Sequence, residues 1–201
     1  LLYIAALKGI RPVVAKKRVK ELIAKVGLSK VANKKMKKLS GGMKRRAGIA
    51  QAMLNNPKIL ILDEPTAGLD PNERIRFRNL ISELSEDRLV LLSTHIVSDI
   101  EYIANEILLM KDGKLMHKGT ADEIINSMTE TVWECFVEKN MVSDFMKKYK
   151  ISNMKSEADG VILRIISHEK PFVNAQSVEA SLEDVFLYYF GEKAGDENAA
   201  I

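Results

Sequence analysis

A short run of residues, 59–66, constrains the fold more than any other part of the chain. It reads Ile-Leu-Ile-Leu-Asp-Glu-Pro-Thr, so that four aliphatic residues are followed at once by two carboxylates. An unbroken apolar run of this length predicts a strand buried on both faces, as in the parallel sheet of an α/β protein. Ligands of such sheets bind at the carboxyl ends of the strands. We therefore expect Asp63 and Glu64 at a ligand-binding edge.

The two carboxylates can be interpreted in two ways from this octet alone. Asp63 can hold Mg²⁺, because Mg²⁺ takes oxygen ligands and binds phosphates at the same time. Glu64 can then act as a general base toward a water molecule. The alternative is a strand that ends in two solvated acids before a proline turn. The octet does not decide between these interpretations, so other parts of the chain must.

A second candidate site lies upstream, at Ser40, Gly41 and Gly42. Apolar residues recur with helical spacing from Met43 onward, which predicts that a helix begins about here. A Ser-Gly-Gly turn at a helix N-terminus offers free N–H groups and the positive end of the helix dipole, which together bind anions. An ordinary serine cap with a glycine turn would explain the same residues taken alone. The Ser-Gly-Gly turn and the strand that ends in Asp63 and Glu64 together indicate a functional site far more specifically than either motif alone.

Four segments together resemble the ATP-binding cassette (ABC) ATPases, in the order found in that family. Residues 39–42 resemble the family's signature, and residues 59–64 resemble its Walker B strand with the catalytic glutamate. Residues 67–70 look like its D-loop, and Ser-Thr-His at 93–95 resembles its switch histidine. Met43 stands where the family more often has glutamine. The resemblance implies an α/β fold, namely an incomplete P-loop-NTPase-like ABC core over residues 1–128.

The resemblance also assigns chemistry to three side chains. Asp63 would hold Mg²⁺, as Walker B aspartates do. Glu64 would orient and polarise the water that attacks ATP. His95 would contact the γ-phosphate or stabilise its developing charge. A lone histidine is more often structural, and it is the Ser-Thr-His context at the end of a predicted strand that favours function.

The remaining roles implied by the family concern a second subunit. Ser40, Gly41 and Gly42 would contact the γ-phosphate of an ATP held by a partner nucleotide-binding subunit, in a head-to-tail dimer. Asp70 would lie at the dimer interface. An Asp-Pro turn that opens a helix explains Asp70 equally well, and the two interpretations can both hold.

One family motif has no counterpart in the 201 residues. Nothing in them matches G-x-x-x-x-G-K-[ST], the phosphate-cradling P-loop. In the family this motif, an aromatic adenine contact and the Q-loop glutamine precede the signature, which would place all three before Leu1. We therefore expect a C-terminal part of a nucleotide-binding subunit, inactive as an ATPase on its own.

The character of the sequence changes after residue 128, which predicts a small α+β appendage over residues 129–201. Its predicted elements are strands at 131–137 and 161–166, a helix at 141–149, a last helix capped from Ser181, and a frayed tail at 192–201. The Ser-Leu-Glu-Asp-Val-Phe run at 181–186 is similar to the accessory C-terminal region of the drug-, antibiotic- and bacteriocin-export branch. The resemblance thus implies an exporter.

We therefore predict the ATP-binding subunit of an ABC transporter. With ATP and Mg²⁺ it would drive a separate membrane permease from the cytoplasmic face of the cell membrane. No apolar run approaches the length of a membrane helix. The single Cys135 rules out an internal disulfide, which fits a reducing compartment. The net charge of +4 gives no argument for a nucleic-acid partner.

Two other classes of protein share parts of this pattern. A soluble ABC ATPase of translation or DNA repair carries the same motifs, usually with tandem cassettes or a coiled-coil insertion, and neither is seen here. A non-catalytic regulatory module fits a chain without a P-loop, although the intact Glu64 and His95 argue against a degenerate parent. The basic run at residues 34–38 favours a solvated loop over a phosphate or lipid contact.

Overall fold

The computed structural model describes residues 1–191, which fall into two compact units. The first unit is Leu1–Ile103 and the second is Ala104–Ile201, of which residues 104–191 are described. The tail predicted at 192–201 lies outside the described residues. The predicted functional division after residue 128 does not coincide with this boundary and stays a prediction.

The first unit begins with two helices. The sequence predicts both, because apolar residues fill 1–10 and recur at helical spacing over 12–26, with Gly9 and Gly27 as the predicted ends. Helix α1 spans Leu2–Leu7 and α2 spans Pro12–Lys25, with Pro12 at the first position, where its missing N–H costs nothing. Gly9 and Gly27 follow the two helices with φ of 71° and 67°. Left-handed backbone of this kind is what a glycine just after a helix supplies. The buried side of α2 joins the core of this unit.

Two short 3₁₀ turns lead from α2 to the next helix. They span Ser29–Val31 and Met36–Lys38, and the second contains part of the basic run. Helix α3 then spans Gly41–Ala52, and a further 3₁₀ turn at Met53–Asn55 ends it. The start of α3 agrees with the helix predicted from the spacing of Met43 and the apolar residues after it.

The sheet of the first unit has two parallel strands in the described part of the chain. Strand β1 spans Ile59–Asp63 and β2 spans Leu89–Ser93, paired in register from one end to the other. Helix α4, Pro71–Ser85, crosses between them, and α5, Val97–Ile103, follows β2. This is the strand–helix–strand unit that a parallel pair requires.

One expectation about β1 is wrong for this structure. The strand was predicted to be buried on both faces, but Ile59 is 57% exposed and Ile61 is 71% exposed, while Leu60 between them is buried. Side chains alternate between the two faces of a strand. One face packs into the core with Phe77 and Leu80 of α4. Nothing in the described residues covers the opposite face of β1. Burial therefore alternates along the apolar run, as in a strand that is covered on one face only.

The second unit opens with a hairpin, which the Asp-Gly turn signal at 112–113 between two apolar runs predicts. Strand β3 spans Ile107–Lys111 and β4 spans Lys114–Gly119. Asp112 and Gly113 connect them with φ of 50° and 73°, which is the backbone that an Asp-Gly turn favours. The run Thr-Ala-Asp-Glu at 120–123 predicts a capping box, and helix α6, Ala121–Asn126, begins with this box between Thr120 and Glu123.

A four-stranded antiparallel sheet forms the rest of the second unit, with strand order β6–β7–β5–β8. Its elements in chain order are β5 Thr131–Val137, α7 Val142–Lys148, β6 Lys150–Ser156, β7 Val161–Ser167, β8 Gln176–Val178 and α8 Leu182–Phe190. Strands β6 and β8 were not predicted. The first alternates poorly because its register with β7 shifts after Ile151, and the second has only three residues.

A buried ion pair ties α8 to this sheet. The carboxylate of Asp184, 1% exposed, accepts hydrogen bonds from the Arg164 guanidinium at 2.8 to 3.1 Å and from Ser152 at 2.6 Å. It also accepts from the backbone and side chain of Ser181 in a capping box. Burial raises the pKa of Asp184, but the hydrogen bonds from Arg164, Ser152 and Ser181 outweigh it and hold the pKa below its usual range.

Among residues 1–191, no helix is both long enough and apolar enough to cross a bilayer. Cys135 lies on β5, buried and unpaired. Burial raises the pKa of its thiol. This cysteine therefore behaves as a small core residue, not as a reactive one.

Candidate functional site

Asp63 and Glu64, at the carboxyl end of β1, lie beside residues 93–95 at the carboxyl end of β2. Asp63 is the last residue of β1 and pairs in register with Ser93, the last residue of β2. The Ser93 hydroxyl donates to Asp63 Oδ1 at 2.5 Å. Parallel pairing thus places both segments at one edge, where an α/β sheet binds its ligands. The side chain of Asp63 is exposed there.

Glu64 leaves the strand in a left-handed conformation and turns toward the end of β2. Its φ is 43°, which is uncommon for a residue with a side chain, while its N–H still donates to the Ser93 carbonyl at 2.9 Å. Its Oε1 accepts from the backbone N–H of His95 at 3.1 Å and lies 2.9 Å from His95 Nδ1. Thr94 Oγ1 donates to Oε2 at a longer 3.4 Å. Strained backbone held in place by its surroundings is a recurrent property of functional sites.

The contact between Glu64 and His95 favours one tautomer of the imidazole. A carboxylate accepts a proton from an N–H, so the hydrogen bond to Oε1 favours the tautomer with the proton on Nδ1. His95 Nε2 is then the ring atom left for a ligand, on a side chain that is 68% exposed. The Glu64 side chain is 38% exposed, so water reaches both members of the pair. This arrangement suits a carboxylate that holds or deprotonates a water beside an orientable imidazole.

Ser40 caps α3, as the alternative interpretation of this residue has it, and its hydroxyl accepts from the N–H of Met43 at 3.2 Å. Its contact with a nucleotide stays a prediction. Gly41 is exposed, and a Cβ there would meet nothing within 4 Å. Gly42 is buried, and a Cβ there would come within 2.6 Å of Glu73 Oε2. Gly41 can therefore admit a ligand, whereas the missing side chain of Gly42 makes room for a residue of α4.

Helix α3 is fastened to α4 by an ion pair that the sequence interpretation missed. Arg46, 8% exposed, lies 3.1 Å from Glu73 Oε2 and donates to the Val26 carbonyl at 3.1 Å. Arg45 donates to the Ala67 carbonyl in the loop after β1. The helical spacing gave a signal for Arg46, because it lies between Met43 and Ala50 on the predicted apolar face. An arginine on such a face needs a buried partner.

Asp70 lies at the start of α4, where its carboxylate accepts from the N–H of Glu73 at 2.9 Å. The helix-capping interpretation of Asp70 is therefore correct in this structure. Its place at a dimer interface stays a prediction. The turn before it contains Gly68, whose φ is 71°.

A buried acid four residues after His95 was also missed, because nothing in the sequence marks it. Asp99 of α5 is fully buried, 4.0 Å from Arg74 Nε and 3.8 Å from Arg78 Nη1 of α4. The Arg78 guanidinium also stacks 4.4 Å from the ring centroid of Tyr102. These contacts hold α5, and with it the segment that carries His95, against the helix that begins at Asp70.

Asp63 stays the predicted ligand of Mg²⁺ at the strand ends. Within residues 1–191, no group of three or more histidine, cysteine, aspartate or glutamate side chains could hold a metal ion. Mg²⁺ in nucleotide sites needs only one or two carboxylates, because phosphate and water supply the other ligands. Asp63 meets that requirement. An open cleft of about 250 Å³ beside it is lined by Arg45, Ile49, Ile61 and other residues of α3, β1 and α4.

Comparisons with known proteins agree with the motifs. Residues 6–67 match the family model described as ABC transporter. The chain is 35% identical over 141 residues to the ABC transporter ATP-binding protein YxlF of Bacillus subtilis, covering 70% of this chain and 48% of that protein. It is 31% identical over 194 residues to YhcH of the same organism, covering 89% of this chain and 62% of that one.

A further relative is a methionine import ATP-binding protein, MetN 2 of Oceanobacillus iheyensis. It is 35% identical over 152 residues, which is 74% of this chain and 44% of that protein. The chain thus spans between 44% and 62% of the length of these three relatives. Among solved structures, cbiO1 from Clostridium perfringens, part of the ABC transporter complex cbiONQ, matches with a TM-score of 0.52 and 31% identity. The match covers 56% of this chain and 46% of that one, and it shows that the matched part of this chain has part of the fold of an ABC ATPase core.

Proposed function

We propose that this chain is part of the ATP-binding subunit of an ABC transporter, starting from the match of residues 6–67 to the family model described as ABC transporter. It couples ATP binding and hydrolysis, at a head-to-tail dimer interface, to the work of a separate membrane permease. The observation that carries this proposal is the contact of Glu64 with His95 across the ends of β1 and β2. It brings together two motifs, 31 residues apart, whose side chains would act in one reactive centre.

Each side chain at the strand ends then has a role. Asp63 holds Mg²⁺, which when bound neutralises phosphate charge. Glu64 accepts a hydrogen bond from the attacking water and draws its proton away. His95, oriented through Nδ1 by Glu64, presents Nε2 to the terminal phosphate and stabilises the charge that develops there.

The signature turn acts on a nucleotide held elsewhere. Gly41 is open to solvent at the N-terminus of α3, so its N–H can approach the phosphate of an ATP on a partner subunit. Ser40 and Gly42 shape that turn, the first as the cap and the second by its close packing on Glu73. Asp70 adds a carboxylate at the start of α4, next to the same interface.

We further propose export as the direction of transport, at the inner face of the cell membrane. The support is the resemblance of residues 181–186 to the export branch. The import protein among the relatives makes direction a question for experiment. Transport assays with the cognate permease in sealed vesicles decide it: accumulation inside inverted vesicles supports export, and accumulation inside right-side-out vesicles contradicts it.

Isothermal titration of Mg-ATP tests the ATP-site proposal on the 201-residue chain itself. We expect no measurable binding, because Asp63 and Glu64 face a polyanion without the several N–H groups and the lysine that a P-loop contributes. When a complete subunit that holds ATP is added, the chain should associate with it through Ser40 and Gly41, and only in the presence of the nucleotide. Micromolar binding to the chain alone would mean that it contains a nucleotide site of another kind.

A further inference from the structure

The positive charge of the chain is concentrated in its first 58 residues. They contain sixteen lysines and arginines and a single acid, Glu21, whereas the remaining residues contain 15 basic and 26 acidic side chains. The net charge of +4 therefore conceals a strongly basic helical part. The field of such a surface attracts polyanions, over a range of about 10 Å at ordinary ionic strength.

Helix α2 separates its basic side chains from its packed ones. Its buried face consists of Ala15, Val19 and Leu22. Its outer face repeats at i, i+3, i+4 and i+7, the spacing of one helical stripe. The four residues of this outer stripe, all exposed, are Val13, Lys16, Lys17 and Lys20. Val13 is 82% exposed, so an apolar side chain stands in water beside three lysines.

The segment of residues 34–38 repeats this combination of lysines with an exposed apolar side chain. Lys34, Lys35, Lys37 and Lys38 are all exposed around the 3₁₀ turn Met36–Lys38, and Met36 itself is 55% exposed. None of these lysines makes an ion pair with another residue of the described chain. Crowded like charges repel one another, and an anionic partner would relieve that repulsion.

We propose that these two surfaces, the outer stripe of α2 and residues 34–38, bind the anionic surface of a lipid bilayer. This inference extends the proposed function, which places the chain beside a membrane permease, to a direct contact with the membrane. Anionic headgroups neutralise the lysines, and Val13 and Met36 enter the boundary between headgroups and acyl chains. A nucleic-acid backbone offers the negative charge but no apolar layer for those two side chains.

Co-sedimentation of the 201-residue chain with vesicles tests the proposal. Vesicles of phosphatidylcholine alone are compared with vesicles of equimolar phosphatidylcholine and phosphatidylglycerol, at low and at high ionic strength. We expect binding only to the anionic vesicles and its loss at high salt. Each lysine near such a surface contributes roughly a fivefold gain in partition. Lys34→Gln, Lys37→Gln and Lys38→Gln together should therefore lower partition about 100-fold.

A matched variant controls for total charge. Lys114→Gln, Lys147→Gln and Lys170→Gln remove the same charge from exposed positions of the second unit and should leave partition within about twofold. Lys16→Gln, Lys17→Gln and Lys20→Gln on α2 should weaken it. Equal binding to both kinds of vesicle, an equal loss in the control, or tighter binding to a short DNA duplex than to anionic vesicles would overturn the proposal.

The vesicle measurement needs no nucleotide, so its outcome is separate from that of the ATP-site proposal. If the chain does not bind anionic vesicles, the proposed roles of Glu64 and His95 are not affected. Conversely, if the chain binds anionic vesicles but does not associate with an ATP-loaded subunit, the membrane proposal stands and the proposed role in hydrolysis is wrong.

Discussion

At the scale of single residues, Glu64 carries most of the proposed chemistry, and a substitution can separate its role from that of Asp63. Glu64→Gln keeps the size of the side chain but removes its ability to take a proton. In a form of the chain that also carries a P-loop, ATP binding should persist, and hydrolysis should fall by about 10²- to 10⁴-fold, the usual contribution of a general base. Phosphate release measures the rate, and equal turnover in wild type and variant contradicts the role.

Asp63→Asn provides the matched comparison at the neighbouring position. It removes the carboxylate proposed to hold Mg²⁺, so it should weaken magnesium-dependent nucleotide binding more than it weakens metal-free binding. Titration with ATP in the presence and absence of Mg²⁺ distinguishes the two. An unchanged magnesium dependence would assign the ion to other ligands.

The two glycines of the signature turn should respond in opposite ways to alanine. Gly42→Ala drives a Cβ toward Glu73 Oε2, which must leave its ion pair with Arg46, and should lower the free energy of unfolding by about 1–2 kcal/mol. Gly41→Ala meets empty space in the first turn of α3 and should be neutral or stabilising by up to about 1 kcal/mol. Urea unfolding followed by far-UV circular dichroism measures both. Equal effects would mean that Gly42 is not a packing residue.

At the scale of elements, local signals in the sequence predicted most of the structure. The glycines at 9 and 27, the Asp-Gly turn and the capping box at Thr120 each act within a few residues, and each is found where expected. Strand β6 was missed because its pattern is interrupted where the register with β7 shifts. The partners of Arg46 and Asp99 could not be predicted, since both contacts depend on how α3, α4 and α5 pack.

The buried pair between Arg164 and Asp184 predicts how the second unit responds to acid. Because the folded pKa of Asp184 is depressed, its stabilising contribution is complete above the ordinary carboxyl pKa of about 4 and is lost as the pH falls through the lower folded value. The free energy of unfolding should therefore decline below about pH 4. The fluorescence of Trp133, the only tryptophan and a residue of β5, follows this unit.

Asp184→Asn is the control for that pH dependence. It leaves Arg164 with an amide in place of a buried carboxylate and should cost about 3 kcal/mol at neutral pH. It should also remove most of the decline in stability below about pH 4. If the variant and the wild type lose stability in parallel, the acid response arises from other carboxylates.

At the scale of the whole molecule, two truncations test how the chain divides. A chain ending at residue 128 keeps β3, β4 and α6 but loses α8, whose Tyr189 ring lies 4.9 Å from that of His117. It should keep the fold around Asp63 and His95 but associate through the uncovered hairpin. A chain ending at Ile103 keeps the first unit entire and should associate less. Sedimentation measures the association of the two truncated chains, and hydrogen exchange at β1 measures whether the β1–β2 pair is formed. Loss of that pair in both chains would show that the predicted two-part division is wrong.

The left-handed backbone at Glu64 means that the residue best for thermal stability at this position differs from the residue needed for hydrolysis. Only glycine adopts φ near 43° without a steric penalty, so Glu64→Gly should relieve about 1 kcal/mol of strain while deleting the carboxylate. A library screened for thermal survival alone would therefore accumulate glycine at this position and discard its chemistry. Retention of glutamate among survivors would indicate that its bonds to Thr94 and His95 compensate for the strain. Only the accumulation of glycine would make position 64 a marker of which pressure a lineage has experienced.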